Sequence, residues 1–146
     1  MNSIFTKEEL KRFFEACDDG FYYSLLYKAM FMTAYGGGLR LSELCNLKIK
    51  DIDSENMRIL VQEGKGNKYR YTLLSQKNLE ILREYFKIYR PNHPEGYLFV
   101  SPMTHAKYGL SGPEIAFRRI RKKAGITRKV TVHGLRHNFA TDLIEN

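Results

Sequence analysis

The chain has 146 residues, of which 43% are hydrophobic and 13% aromatic, which is enough to form the core of a single domain. Lysine and arginine outnumber aspartate and glutamate by 24 to 16, and the net charge of +8 favours attraction to polyanions such as nucleic acid. The sequence has no apolar run near the ~20 residues of a membrane span and no secretory signal. Its two cysteines are too few for a disulfide framework or a zinc site. We therefore expect a cytoplasmic protein without a membrane partner.

The first third of the chain is predicted to be helical. A capping box that begins at Thr6 predicts the start of a first helix. The buried stripe of this helix is expected to contain Leu10, Phe13 and Phe14. The segment 21–35 is apolar on most sides, which predicts a central second helix that ends at the glycines 36–38. The segment 41–47 predicts a short third helix and places Arg40 at its start, where backbone amides favour anions.

A small patch of sheet is predicted in the middle of the chain. The segments 57–62 and 69–74 are rich in branched and aromatic residues and flank a glycine-containing loop, as in a β-hairpin. A third short strand is expected at 97–100, either in the sheet or beside it. The two cysteines, Cys17 and Cys45, are expected to be core residues.

The second half of the chain contributes three more predicted helices. Ser75 is expected to cap a fourth helix, Ser111 and Pro113 to open a fifth, and Gly134 to lie near the start of the last. The residues expected to face inward or pack are Leu79, Leu82, Phe86 and Tyr89 on the fourth helix, Ile115, Phe117, Ile120 and Ala124 on the fifth, and Phe139, Ala140, Leu143 and Ile144 on the last.

Positive charge is concentrated between residues 118 and 129, with no acidic residue in the run. Such a run is usually a solvated face, but with the net charge of the chain we favour contact with DNA. The candidate DNA-binding residues are Arg118, Arg119, Arg121, Lys122, Lys123, Arg128 and Lys129.

Two arginines and a histidine are the candidate reactive groups. Arg40 follows three glycines, and His133 precedes Arg136 by three residues near the end of the chain. Two guanidiniums brought together by folding can hold one phosphate, and a nearby imidazole can transfer a proton. Each candidate residue also has a simpler interpretation. Arg40 could form a surface ion pair with Glu43, and His133 could be a capping or core histidine. Lys65, in the loop of the predicted hairpin, could be a solvated side chain.

Several segments, in this order, resemble one family, the tyrosine site-specific recombinases of the phage-integrase and Xer type. The matching segments are Phe5-Thr6-Lys7-Glu8-Glu9-Leu10, Gly38-Leu39-Arg40-Leu41-Ser42-Glu43-Leu44, Gly64-Lys65-Gly66-Asn67-Lys68, Tyr97-Leu98-Phe99 with Ser101, and His133-Gly134-Leu135-Arg136-His137-Asn138-Phe139-Ala140-Thr141. The resemblance covers almost the whole chain. It implies an α+β fold, mainly α-helical, with a small antiparallel three-stranded sheet.

The resemblance also implies a role for each matching residue. Arg40 and Arg136 would bind the non-bridging oxygens of the scissile phosphate, and Lys65 would protonate the leaving 5′ oxygen. His133 would contact the phosphate or assist proton transfer. Glu43 would orient the residues of the site without contacting the phosphate itself. No metal or other cofactor is expected, because the arginines and the lysine supply the positive charge. His137 is expected to pack beside the site.

In the family, a tyrosine some distance beyond the second arginine attacks the DNA. All ten tyrosines of this sequence lie upstream of His133, and none matches that position. We therefore expect residues 1–146 to be a single catalytic domain that is truncated at its C-terminus and lacks the family's N-terminal domain.

For the intact protein, the resemblance implies double-stranded DNA as partner, assembly as a tetramer on DNA, and recombination through a 3′-phosphotyrosyl intermediate. This chain itself is expected to be a monomer or to associate weakly. The alternative is a catalytically inactive DNA-binding fragment or remnant of a recombinase.

Overall fold

The computed structural model describes residues 4–64 and 67–145, the last two by their backbone alone. The helices are α1 (Lys7–Ala16), α2 (Ser24–Gly37), α3 (Leu41–Asn46), α4 (Gln76–Tyr89), α5 (Ser111–Lys123) and α6 (Val132–Glu145), with a single 3-10 turn at Ile49–Asp51. The strands are β1 (Ile52–Asp53), β2 (Arg58–Gln62) and β3 (Tyr69–Leu73). The predicted fold class, mainly helical with a three-stranded antiparallel sheet, is confirmed.

Helix α2 forms the centre of the core and packs against α4, α5 and α6. It extends further than predicted, because Gly36 and Gly37 continue the helix and Gly38 ends it with a φ of 70°. The first two glycines are explained by packing. A Cβ on Gly36 would lie 3.4 Å from the Asn78 amide nitrogen, and one on Gly37 would lie 2.8 Å from the Leu39 side chain.

The segment 97–100, expected to be a strand in the sheet or beside it, is not a strand. The sheet order is β1-β2-β3, so β1 and not the segment 97–100 completes it. That segment forms only isolated bridges, and its apolar side chains are buried. Its Leu98 carbonyl accepts a hydrogen bond of 2.8 Å from the Tyr85 hydroxyl. The apolar run therefore reflects burial against α4.

The predicted inward faces of α4 and α5 were partly wrong. Phe86 is 43% exposed and Ile115 is 58% exposed, although both were expected to face the core. The predicted start of α5 is confirmed, because Ser111 is its first residue and Pro113 lies in its first turn. The side chains that are buried instead are Asn78, Ile81 and Tyr85 on α4 and Ala116 on α5.

Helix α6 begins two residues before the predicted start and packs along α2. Leu143 is exposed, and the side chain of Ile144 lies outside the described residues. Both cysteines are buried and free, as predicted, and burial raises the pKa of Cys17 to about 12 and that of Cys45 to about 11. None of the helices in the described ranges has the length and apolar character to cross a membrane.

Candidate functional site

Glu43 is the centre of a cluster of charged side chains where α3, β3 and α6 meet. It lies in the first turn of α3 and is only 5% exposed. Its Oε1 accepts a hydrogen bond of 2.8 Å from the Arg40 backbone nitrogen, which closes the N-terminus of the helix. Arg70 donates to both carboxylate oxygens, from Nη1 to Oε2 at 2.8 Å and from Nη2 to Oε1 at 3.2 Å. The carboxylate therefore links the helix to the sheet.

The two arginines predicted from the sequence approach the same carboxylate. Arg40 Nη1 lies 3.4 Å from Glu43 Oε2, and Arg136 Nη1 lies 3.8 Å from Glu43 Oε1. The Arg136 nitrogen is buried and has no hydrogen-bond partner among the described residues. With Arg70, three guanidiniums surround one carboxylate, so the cluster has an excess of positive charge. An anion such as a phosphate is the natural complement to that excess.

The cluster perturbs the titration of its members. Burial acts to raise the pKa of Glu43, but hydrogen bonds from Arg70 and from the Arg40 backbone, with the charges of Arg70 and Arg136, lower it below its usual 4.5. Burial lowers the pKa of Arg136, and the nearby charge of Arg40 adds to this effect. The carboxylate is consequently ionised at neutral pH, and the two arginines are close enough to repel each other.

Gly38 allows α6 to approach the turn before Arg40, and Thr72 ties β3 to the end of α2. A Cβ on Gly38 would lie 2.5 Å from Cδ2 of Phe139, closer than real side chains approach. The Thr72 hydroxyl of β3 donates a 2.7 Å hydrogen bond to the Gly37 carbonyl at the end of α2. The close approach of Phe139 to Gly38 brings α6, with its histidine and arginine, against the turn that precedes Arg40.

His133 is exposed at the start of α6, and its Nε2 lies 3.0 Å from Nε2 of His137, one turn later. Partial burial lowers the pKa of His133, and His137, Arg136 and Arg40 lower it further. The ring is therefore mainly neutral near pH 7, able to accept a proton as well as donate one. His137 packs beside the site as predicted, but it also contacts the histidine expected to act.

Lys65 lies outside the described residues. The hairpin that carries it is described up to Gly64, which has a φ of 59°, and again from Asn67. Below the tip, the Glu63 backbone nitrogen donates to the Lys68 carbonyl at 2.8 Å. The predicted hairpin is thus present, and the position of its lysine stays a prediction.

The side chains of the basic run lie in three environments: buried, ion-paired and exposed. Arg121 is only 7% exposed, and its Nη1 donates to the Val130 carbonyl at 3.2 Å, so its expected place on the basic surface was wrong. Arg119 forms an ion pair with Asp19. Arg128 forms an ion pair with Glu9 and donates to the Ile4 carbonyl at 2.8 Å. The remaining four side chains are exposed: Arg118, Lys122, Lys123 and Lys129.

Arg70 is the member of the cluster that the sequence analysis missed. Alternation along β3 contained a signal, because Tyr69, Tyr71 and Leu73 are exposed and Arg70 occupies the opposite face. Its register partner on β2 is the buried Val61. A charged residue at an inward position of a strand requires a partner of opposite charge, which here is Glu43.

Comparison with known proteins shows which family this chain is related to. The model of the phage integrase family matches residues 3–146. The chain belongs to the phage integrase family. Among its relatives in this family, the tyrosine recombinase XerA of Pyrococcus horikoshii is 37% identical over 142 residues, which cover 96% of this chain and 47% of the relative. The tyrosine recombinase XerC of Lactobacillus delbrueckii is 37% identical over 148 residues, covering 98% of this chain and 50% of the relative.

Solved structures agree with the family assignment. A crystal structure of XerA recombinase matches with a TM-score of 0.85 and 36% identity, covering 100% of this chain and 51% of that chain. A post-cleavage complex of XerH recombinase with its difH substrate matches with a TM-score of 0.84 and 29% identity, covering 99% and 42%. This phage integrase family chain thus spans about half the length of the relatives it matches.

Proposed function

We propose that residues 1–146 form the phosphate-binding part of a site-specific recombinase, which cleaves and rejoins double-stranded DNA through a 3′-phosphotyrosyl intermediate. The observation that carries this proposal is the approach of Arg40 and Arg136 to one buried carboxylate, with His133 one turn from Arg136. Kinship with recombinases named XerA and XerC, and the DNA-bound XerH complex, supports DNA as the partner.

In this proposal Arg40 and Arg136 bind the two non-bridging oxygens of the phosphate that is attacked. Negative charge increases on these oxygens as phosphorus becomes five-coordinate, so preorganised guanidiniums stabilise the transition state more than the ground state. Removing one such donor typically costs about 10²- to 10³-fold in rate. Glu43 positions Arg40 through hydrogen bonds with its backbone and its side chain, and its charge lies 3.8 Å from Arg136 Nη1.

The proton transfers are assigned to His133 and Lys65. A mainly neutral imidazole at His133 can take the proton of an attacking tyrosine or donate a hydrogen bond to the phosphate. Lys65, at the hairpin tip, is proposed to protonate the 5′ oxygen that leaves. The tyrosine itself is proposed to come from outside residues 1–146, because the ten tyrosines of this sequence extend no further than Tyr108.

We further propose that residues 1–146 are one domain of a protein that acts in the cytoplasm and assembles on DNA as a tetramer. Assembly into a tetramer on a Holliday junction is described for lambda integrase, whose likeness to this chain is one of fold. A second candidate function is DNA binding without cleavage, which the exposed basic residues of α5 alone would support.

Covalent trapping tests the proposed reaction. The protein extended beyond residue 146 is incubated with a nicked duplex that carries a target site selected from a random DNA pool. We expect a covalent protein–DNA adduct that is lost in the Arg40→Ala and Arg136→Ala variants. Residues 1–146 alone should bind the duplex without forming an adduct. Specific binding without any adduct from the extended protein would favour the DNA-binding alternative.

A further inference from the structure

Arg70 differs from the other arginines of the site in how fully Glu43 engages it. It lies on the inward face of β3, and both terminal nitrogens of its guanidinium donate to Glu43. This fork-to-carboxylate geometry is the strongest kind of charge-assisted hydrogen bonding available to arginine. Its Nη2 also donates to the Gly38 carbonyl at 3.5 Å and its Nη1 lies 3.7 Å from Glu63 Oε1, so both terminal nitrogens of Arg70 are engaged within the protein.

The four acceptor positions of the Glu43 carboxylate are all occupied. An ionised carboxylate has about four lone-pair sites, two on each oxygen. Oε1 accepts from the Arg40 backbone nitrogen and from Arg70 Nη2, and Oε2 accepts from Arg70 Nη1 and Arg40 Nη1. Two of these four hydrogen bonds come from Arg70.

Arg136 is excluded from the carboxylate as a result. Its Nη1 lies 3.8 Å from Glu43 Oε1, too far for a hydrogen bond, and it is buried without a partner in the described part of the chain. A buried, unpaired guanidinium N–H is costly, so Arg136 would move onto Glu43 if an acceptor position became vacant. That movement would direct its donors away from the phosphate.

We propose that Arg70 is a positioning residue that saturates Glu43 and thereby keeps Arg136 available to bind phosphate. The proposal rests on the phosphate-binding role given to Arg136 above and adds the reason why a carboxylate beside that arginine does not neutralise it. Arg70 acts in this way without touching the phosphate.

Two other roles for Arg70 make different predictions. If Arg70 were itself a phosphate ligand, the effect of removing it would not depend on the charge of Glu43. If it were only a brace between β3 and α3, the brace would consist of its ion pair with Glu43, so Glu43→Gln alone would weaken phosphate binding as much as Arg70→Met does. In the proposed role, Arg70→Met weakens phosphate binding because the acceptor positions that it frees on Glu43 capture Arg136. Removing the charge of Glu43 should therefore restore phosphate binding to the Arg70→Met variant. A double-mutant cycle can detect this coupling.

The experiment is a titration of the ¹⁵N-labelled chain 1–146 with inorganic phosphate, followed by NMR of the arginine side chains. Arg70→Met should weaken phosphate binding ~10-fold, the loss expected when a charge-assisted hydrogen bond is diverted. Arg58→Met is the matched control, because Arg58 lies on the same sheet and pairs with Asp53. It should change the affinity by less than about twofold.

The second arm combines Arg70→Met with Glu43→Gln. We expect the double variant to bind phosphate within about threefold of Glu43→Gln alone, because the neutral amide no longer captures Arg136. If Arg70→Met weakens binding equally in both backgrounds or no more than Arg58→Met, or if Glu43→Gln alone weakens binding as much as Arg70→Met, the positioning role is wrong. Should Arg70→Met not fold, Arg70→Gln is used with the same criteria, since a neutral amide cannot form the two charge-assisted hydrogen bonds.

Failure of the underlying function gives a distinct result. If Arg136→Met leaves phosphate affinity unchanged, the proposed phosphate ligand is wrong, whatever the Arg70 variants do. If Arg136→Met weakens binding and the Arg70 cycle shows no coupling to Glu43, the ligand stands and only the inference about Arg70 is overturned.

Discussion

Asn138 and the Phe5 backbone exchange two hydrogen bonds across 133 residues of sequence. The Phe5 nitrogen donates to Asn138 Oδ1 at 3.0 Å, and Asn138 Nδ2 donates to the Phe5 carbonyl at 2.9 Å. Asn138 is buried on α6, between Arg136 and Phe139 in sequence. The start of the chain is therefore tied to the helix that presents the proposed phosphate ligand.

Replacing Asn138 by leucine should destabilise the protein by about 2–4 kcal/mol, because the Phe5 nitrogen and carbonyl would remain buried without partners. Urea denaturation measures the loss. Asn92→Ala is the control, since Asn92 is exposed and its substitution should cost no more than about 0.5 kcal/mol. Equal effects of the two substitutions would show that the link between Phe5 and α6 contributes nothing to stability.

A pair of glycine substitutions tests the spacing between α6 and the turn before Arg40. Gly38 and Gly20 both have φ near 75°, at 70° and 80°, so alanine at either site incurs the strain of the left-handed region, about 1 kcal/mol. Only Gly38→Ala also places a Cβ against Phe139. We expect Gly38→Ala to cost clearly more stability than Gly20→Ala and to weaken phosphate binding. Equal losses, measured by thermal unfolding, would contradict the close approach.

The ionisation of Glu43 predicts how stability depends on pH. Its pKa is lowered in the folded protein, despite burial, by Arg70 and the Arg40 backbone. Its contribution to stability is therefore fully present above its ordinary pKa of 4.5 and lost as the pH falls through the lower folded value. The difference in unfolding free energy between the wild type and Glu43→Gln should shrink as the pH falls below 4.5. A pH-independent difference would show that the carboxylate is not stabilised by its ionic partners.

The division of the basic run predicts unequal effects on DNA binding. Removing an exposed lysine that contacts a phosphate, such as Lys122 or Lys123, should reduce the slope of log affinity against log salt by ~1. Arg121→Gln should instead lower stability, because its guanidinium is buried against the Val130 carbonyl. Fluorescence anisotropy with a random-sequence duplex measures the slopes. Unchanged slopes for both lysines would mean that this face of α5 is only solvated.

Sequence reasoning predicted the elements well where local signals were strong. The capping box at Thr6 and Glu9 is present, and Ser75 caps α4 as expected. The errors have a common cause. The apolar segment 97–100 and the glycines 36–37 have local patterns that suit a strand and a helix end, but tertiary packing determines their actual roles.

The candidate site was predictable only in part, for a similar reason. Arg40, Glu43 and Arg136 stand in sequence motifs, whereas Arg70 stands in an ordinary strand and acquires its importance from a carboxylate 27 residues earlier. The ion-pair partner of Arg119 is more distant still, since Asp19 lies 100 residues earlier in the sequence. Composition and spacing do not encode such contacts.

Removing one charge from the protein and one from the DNA, separately and together, tests the phosphate-binding role of Arg136 most directly. The extended protein and its Arg136→Ala variant are compared on a nicked duplex with either a normal phosphate or a neutral methylphosphonate at the cleaved position. If the guanidinium stabilises the charge of a non-bridging oxygen, the variant should lose about 10²-fold or more in rate on the phosphate but far less on the methylphosphonate. An equal loss of rate on both substrates would contradict the proposed role.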